Sequence, residues 1–214
     1  MTRRLLSVLV VTGLAAAGVV AGRAQASVHV ASRPSTVSSS TASVIYSNLG
    51  PGGAYYPYDG WCVHGDVSAG VCTGYQKVAM PFTGNGGTVT QIDLALTNSG
   101  GTNNATVQLV RDEAGVPGAV LGSWSVANQP PLGGCCALTT IHVSPTIPVG
   151  AGKKYWVVAG PGPNNQDDTA DVWNWNSQLS TGTYAYNNGS GWTTAQSPVS
   201  AFDVLGCGKL CRVS

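Results

Sequence analysis

The chain has 214 residues, of which only 9% are charged, against about 25% in an average soluble protein. Residues Met1–Ala26 read as an export leader. Without its Arg3, Arg4 and Arg23, seven basic residues face nine acidic ones, a net charge of −2. Such a surface lacks the basic footprint that a phosphate backbone requires, which argues against nucleic acid as a partner.

The leader has the parts that a signal peptidase recognises. Thr2-Arg3-Arg4 is a short basic start, Leu5–Gly22 is apolar without a charge, and Ala24-Gln25-Ala26 supplies a small-x-small site before Ser27. The alternative is an uncleaved anchor helix, although the stretch is short for a span and diluted by Gly and Ala. No Cys precedes Cys62, which removes a lipoprotein anchor, and the expected product is a secreted chain with no membrane attachment.

Ser27–Ser43 holds nine Ser or Thr, together with Pro34, and has no apolar period. It reads as a disordered spacer. From Val44 to Gly206 the pattern changes to short alternating runs. Ile92, Leu94 and Leu96 face one way, with Gln91, Asp93 and Ala95 opposite; Val107 and Leu109 alternate with Thr106 and Gln108. Val120, Trp124 and Val126 alternate with Leu121, Ser123 and Ser125, and Ile141 and Val143 with Thr140 and His142. These are half-buried strands. Tyr155–Ala159 is apolar on both faces, as a covered central strand is.

Further runs at Lys77–Phe82, Asp171–Asn176, Gly182–Tyr186 and Val199–Leu205 bring the count to about nine. Turn chemistry stands between them at Asn85-Gly86, Gly115-Val116-Pro117-Gly118 and Asn188-Gly189. The expected fold is all-β: a single antiparallel β-sandwich of jelly-roll type, followed by a short tail at 207–214.

Six cysteines in an exported chain read as disulfides. The spacing favours Cys62–Cys72 as a local staple, with Cys207 and Cys211 tied to Cys135 and Cys136. A bond between the adjacent Cys135 and Cys136 is disfavoured, because their Cα atoms are too close for relaxed geometry. Zinc on Cys62 and His64 is the alternative, without a C-x2-C pair to support it.

Several segments together resemble the bacterial choice-of-anchor domain proteins. They are Tyr46-Ser47-Asn48-Leu49-Gly50-Pro51-Gly52-Gly53, Gln91-Ile92-Asp93-Leu94-Ala95-Leu96, Gly118-Ala119-Val120-Leu121-Gly122-Ser123-Trp124, Tyr155-Trp156-Val157-Val158, Asn187-Asn188-Gly189-Ser190-Gly191-Trp192 and Ala201-Phe202-Asp203-Val204-Leu205-Gly206. The resemblance covers nearly all of Tyr46–Gly206. It implies an exported β-rich domain, often followed by a surface anchor, and it carries over no functional residue because the family's biochemical role is undefined. The chain departs from the family at Cys207-Gly208-Lys209-Leu210-Cys211, where an anchor would stand.

Catalytic signatures are sparse. Glu113 is the only Glu, in a hairpin turn, and no nucleophile elbow or H-E-x-x-H stands in the chain. His29, His64 and His142 read as spacer, loop and outward strand positions. Asp167, Asp168 and Asp171 form the one dense acidic group, in a Gly/Pro/Asn loop. They read as a polar loop, as a structural calcium site, or as the acid and base of an unrecognised hydrolase.

The aromatic residues carry the binding hypothesis. Tyr55, Tyr56, Tyr58 and Trp61 crowd one segment with Pro57 and Gly60, which reads as a surface loop. Trp173 and Trp175 project from one strand face, and Trp192 follows a turn. Sugar rings stack on such faces, so a neutral polysaccharide or envelope glycan is the expected ligand of a non-catalytic binding module. The alternative is a structural matrix or coat protein whose aromatics are all core; Trp124 and Trp156 are assigned to the core in either case. N-terminal sequencing of the exported protein is expected to read from Ser27; a start at Met1 would establish the anchor.

Overall fold

In a computed structural model the structure describes residues 42–67, 70–162 and 168–207. The chain divides into two units, Met1–Ser38 and Ser39–Ser214, and every described residue belongs to the second. The leader, all of the spacer before Ala42, Asp167 and Cys211 therefore lie outside the described residues.

Among the described residues thirteen strands run in chain order: β1 Ser43–Ser47, β2 Tyr55–His64, β3 Lys77–Thr83, β4 Thr88–Leu94, β5 Leu96–Gly100, β6 Asn104–Glu113, β7 Val116–Ala127, β8 Thr139–Pro148, β9 Lys154–Pro161, β10 Ala170–Asn176, β11 Thr181–Asn187, β12 Trp192–Pro198 and β13 Phe202–Cys207. They form three antiparallel sheets, ordered β1-β13-β4-β8, β2-β10-β5 and β12-β11-β3-β9-β6-β7. The all-β, antiparallel expectation holds, and the expectation of one nine-strand sandwich is corrected to thirteen described strands in three sheets. β1 and β12 are edge strands; β1 is a short Ser-Val-Ile-Tyr-Ser run without alternation, and β12 is too polar to show one. β2 carries Pro57 and Gly60, which read as loop. β5 is separated from β4 by Ala95 alone.

Ala95 joins the two smaller sheets. Its N–H donates to the Ala201 carbonyl (3.1 Å), the Ala201 N–H donates to Asn174 (2.9 Å), and the Asn174 N–H returns to the Ala95 carbonyl (2.9 Å). β4 and β5 thereby act as one interrupted strand. One apolar core takes buried side chains from all three sheets, among them Met80, Ile92, Leu96, Leu109, Val157, Trp173 and Phe202. β9 is central, and both of its faces are buried: Val157 and Ala159 enter the main core, while Trp156 and Val158 pack with Ala79, Val110 and Ala185 on the other face. The register shift between Leu109 and Val110 reverses the phase of β7, so Leu121 packs inward and Val120 stands 54% exposed, the opposite of the alternation expected there.

Rings line the core in two chains. Tyr155, Phe82, Tyr46, Phe202 and Trp173 follow one another at centroid separations of 5.7, 6.3, 4.7 and 5.7 Å. Trp175, Trp61, Tyr184 and Tyr186 make the second, and Trp61 faces Trp173 directly across β2 and β10.

Cys62 is bonded to Cys72, with Cα atoms 5.7 Å apart. The other expected pairing is corrected: Cys135 is bonded to Cys136, so neither is tied to the C-terminal cysteines. Cys207 is also disulfide-bonded.

Phe202 is 1% exposed and touches both Tyr46 and Trp173. Phe202→Ala is expected to cost about 3–5 kcal/mol in denaturant unfolding, as a large-to-small change at a fully packed core site does.

Candidate functional site

The structure separates the seven aromatic candidates. Tyr55 is buried, and its hydroxyl donates towards the Gly134 and Ala137 carbonyls (3.0 and 3.3 Å). Trp173 is fully buried, donating its indole N–H to Ala201 O (3.0 Å), and offers no face to a ligand. Trp61 is half-buried, stacks on Tyr184 at 4.2 Å and donates to Pro198 O. Trp175 shares Trp173's strand face, and its Nε1 is buried with no acceptor among the described residues. Trp192 is half-buried against the Trp156 cluster on the far face of the six-stranded sheet.

Tyr56 and Tyr58 remain at the surface, with rings edge-to-face at 5.8 Å and Tyr58 71% exposed. Pairing explains their position. Gly60 lies opposite Asn174 and Tyr55 opposite Asn176, so the intervening residues of β2 bulge away from Trp175. The segment expected as a loop is thus a bulged strand. Gly60 is required there, because a Cβ would run into the Trp173 carbonyl.

The acidic candidates part in the same way. Asp168 accepts from the Thr102 N–H (3.0 Å), and hydrogen bonds from Thr102 hold its carboxyl below the ordinary value. Asp171 is fully buried, with Asn98 Nδ2 on one oxygen (2.9 Å) and Gln129 Nε2 on the other (3.3 Å). Both of those oxygens face amide N–H groups. Among the described residues no three His, Cys, Asp or Glu are grouped to hold a metal ion. Cys62 is committed to its disulfide, and His64 is buried with Nδ1 against the Gly65 carbonyl, which corrects the zinc alternative.

A cleft of about 300 Å³ at the edge of the core was not visible in the sequence pattern. It is lined by Tyr46, Asn48, Met80, Pro81, Ser180–Thr183, Val199 and Phe202. Pro81 accounts for it. The β11 ladder follows β3 through Lys77, Val78 and Ala79 and then stops, while β9 stays paired beyond Pro81 to Thr83. A residue without an N–H cannot extend the β11 side of the ladder. The cleft has an apolar floor, a hydroxyl and amide rim, and no Asp, Glu, Lys, Arg or His in its lining. No family model matches the chain, and no curated protein matches it.

Asp93, expected on the face opposite Ile92 and Leu94, lies directly across from Asp203 on β13. Gln91 Nε2 and the Thr140 hydroxyl hold Asp93 (2.8 and 2.6 Å), whereas Asp203 Oδ1 is buried without a partner. Burial, and then the Asp93 charge, push the Asp203 carboxyl above its ordinary value, against the pull of a hydrogen bond from Ser47. The folded state therefore holds that proton more tightly than the unfolded chain, and the stability it contributes is lost as pH rises from 3.8 through the folded value. Asp203→Asn is expected to raise the thermal midpoint at neutral pH by about 1–4 °C, with the gain vanishing below the unfolded value. Melting curves of both proteins across pH would show an unchanged difference if the pair did not matter.

Proposed function

We propose that the protein is an exported, non-catalytic module of the choice-of-anchor type, with a jelly-roll wiring of its sandwich, which holds a neutral polysaccharide in the edge cleft. The observation that carries this reading is the cleft lining: Tyr46, Met80, Val199 and Phe202 beneath, Asn48, Ser180, Thr181 and Thr183 around, and no ionic side chain. Sugars present apolar ring faces edged by hydroxyls, and such a mixed, uncharged surface is their complement. The disulfides suit an oxidising compartment. No described helix is long and apolar enough to cross a membrane.

A second reading, a structural protein without a ligand, draws on the burial of Trp173 and Trp156 in the two apolar clusters. Retention of the oxidised protein on insoluble chitin, cellulose and cell-wall polysaccharide separates the two. Wild type should be retained on at least one, and Thr181→Trp, which fills the cleft mouth, should weaken retention about tenfold or more. Loss in Tyr58→Ala with full retention of Thr181→Trp would move the site to the β2 bulge. No retention on any polymer would leave the structural role.

A further inference from the structure

Among the described residues there are four Lys or Arg side chains: Lys77, Arg111, Lys153 and Lys154. Three of them, Arg111, Lys153 and Lys154, line a single open groove of about 350 Å³, together with Asp112 and Tyr155. In a chain this poor in charge, that concentration is a specific feature of the fold. Strand register produces it: Arg111 on β6 lies directly opposite Tyr155 on β9, Lys154 is the next residue of β9, and Lys153 ends the turn that leads into it.

The nearby acids are committed to the protein. Asp112 accepts the Trp156 indole N–H on Oδ1 (2.8 Å) and the Gly115 N–H on Oδ2 (3.1 Å), with Lys154 Nζ 3.9 Å from Oδ1. Glu113 is turned along the β6–β7 hairpin to accept from the Ala119 N–H (3.0 Å). One carboxylate is thus set against three cations, and all three are exposed. The Tyr155 hydroxyl accepts from the Gly150 N–H (2.8 Å), and its own hydrogen has no acceptor among the described residues.

We propose that this groove binds the anionic substituents, carboxylate or phosphate, of an extracellular polysaccharide. Arg111 supplies a planar fork that matches either group, and the ammonium groups of Lys153 and Lys154 share the same lining. An anion also relieves the mutual repulsion of the three cations. The ligand is a polymer because an exposed ion pair is worth under about 1 kcal/mol, so useful affinity comes from many such contacts along one chain. A nucleic acid is a poorer fit: three cations neutralise few phosphates, and no exposed ring stands in the groove to stack a base. This proposal does not rest on the edge cleft.

The test uses the full exported protein with polygalacturonate, a poly(glycerol phosphate), neutral dextran and single-stranded DNA, each at low and high salt. Binding to one or both charged polymers, absent on dextran and weakened by salt, is the expected result. Which of the two binds names the substituent. The Arg111→Ala/Lys153→Ala double variant should lose about tenfold or more in affinity with an unchanged melting temperature. Lys77→Ala is the control for the Arg111→Ala single variant, removing an equal charge six residues along β3 from Thr83, the partner of Lys154, about 20 Å away. Thr181→Trp should bind the polyanion as wild type does, which keeps this site distinct from the cleft. Binding to neither charged polymer, an equal loss in Lys77→Ala, or DNA bound as tightly as either polymer would overturn the proposal.

Discussion

Three backbone hydrogen bonds closed into a ring, from Ala95 to Ala201 to Asn174 and back to Ala95, hold two sheets in one layer. Each of the three strands or strand junctions involved belongs to a different part of the chain. If the ring were opened, β5 and β10 would lose their alignment with β4 and β13, and the ring chain from Tyr155 to Trp173 would lose its last member. Neighbouring side chains reinforce it: Ser200 Oγ donates to the Trp173 carbonyl (2.8 Å), and Thr97 Oγ1 to Asn174 Oδ1 (2.8 Å). Buried groups satisfied in this way specify a single arrangement, because any slip in register would strand them.

Most of the large aromatic residues serve that arrangement. Their ring contacts run between the layers, where edge-to-face and offset pairs fill volume with little conformational freedom to lose. The surface is left to hydroxyls, amides and a few charges gathered in one groove. Recognition on such a molecule comes from places where regular pairing breaks down or where register gathers unlike strands: the gap beside Pro81, the bulge in β2 and the meeting of β6 with β9.

The alternation of apolar residues made much of this legible. Nine runs correspond to strands because each buries one face, and the Tyr155–Ala159 run, apolar on both faces, is the covered strand β9. Period two also placed Trp173 and Trp175 on a common face, but only the opposing layer shows that this face is interior. What stayed hidden was set by register. A single bulge turned Val120 outward, and pairing alone set Asp93 opposite Asp203. Nothing local in the sequence brings Arg111 beside Lys153. Edge strands such as β12, with Thr193, Thr194 and Gln196 at its centre, carry almost no apolar signal because they bury so little.

The first and last strands lie side by side, with Ser43 opposite Gly206. Both ends of the folded domain thus leave from the same corner, so it can hang from a longer polymer or a surface without spanning it. That placement also sets its response to tension. Hydrogen bonds of an antiparallel pair run across the strands, and a force applied at both ends here would meet them one at a time, from Ser43 inward. Such a domain yields like a zipper, absorbing small pulls by peeling β1 before the sheets beneath are disturbed.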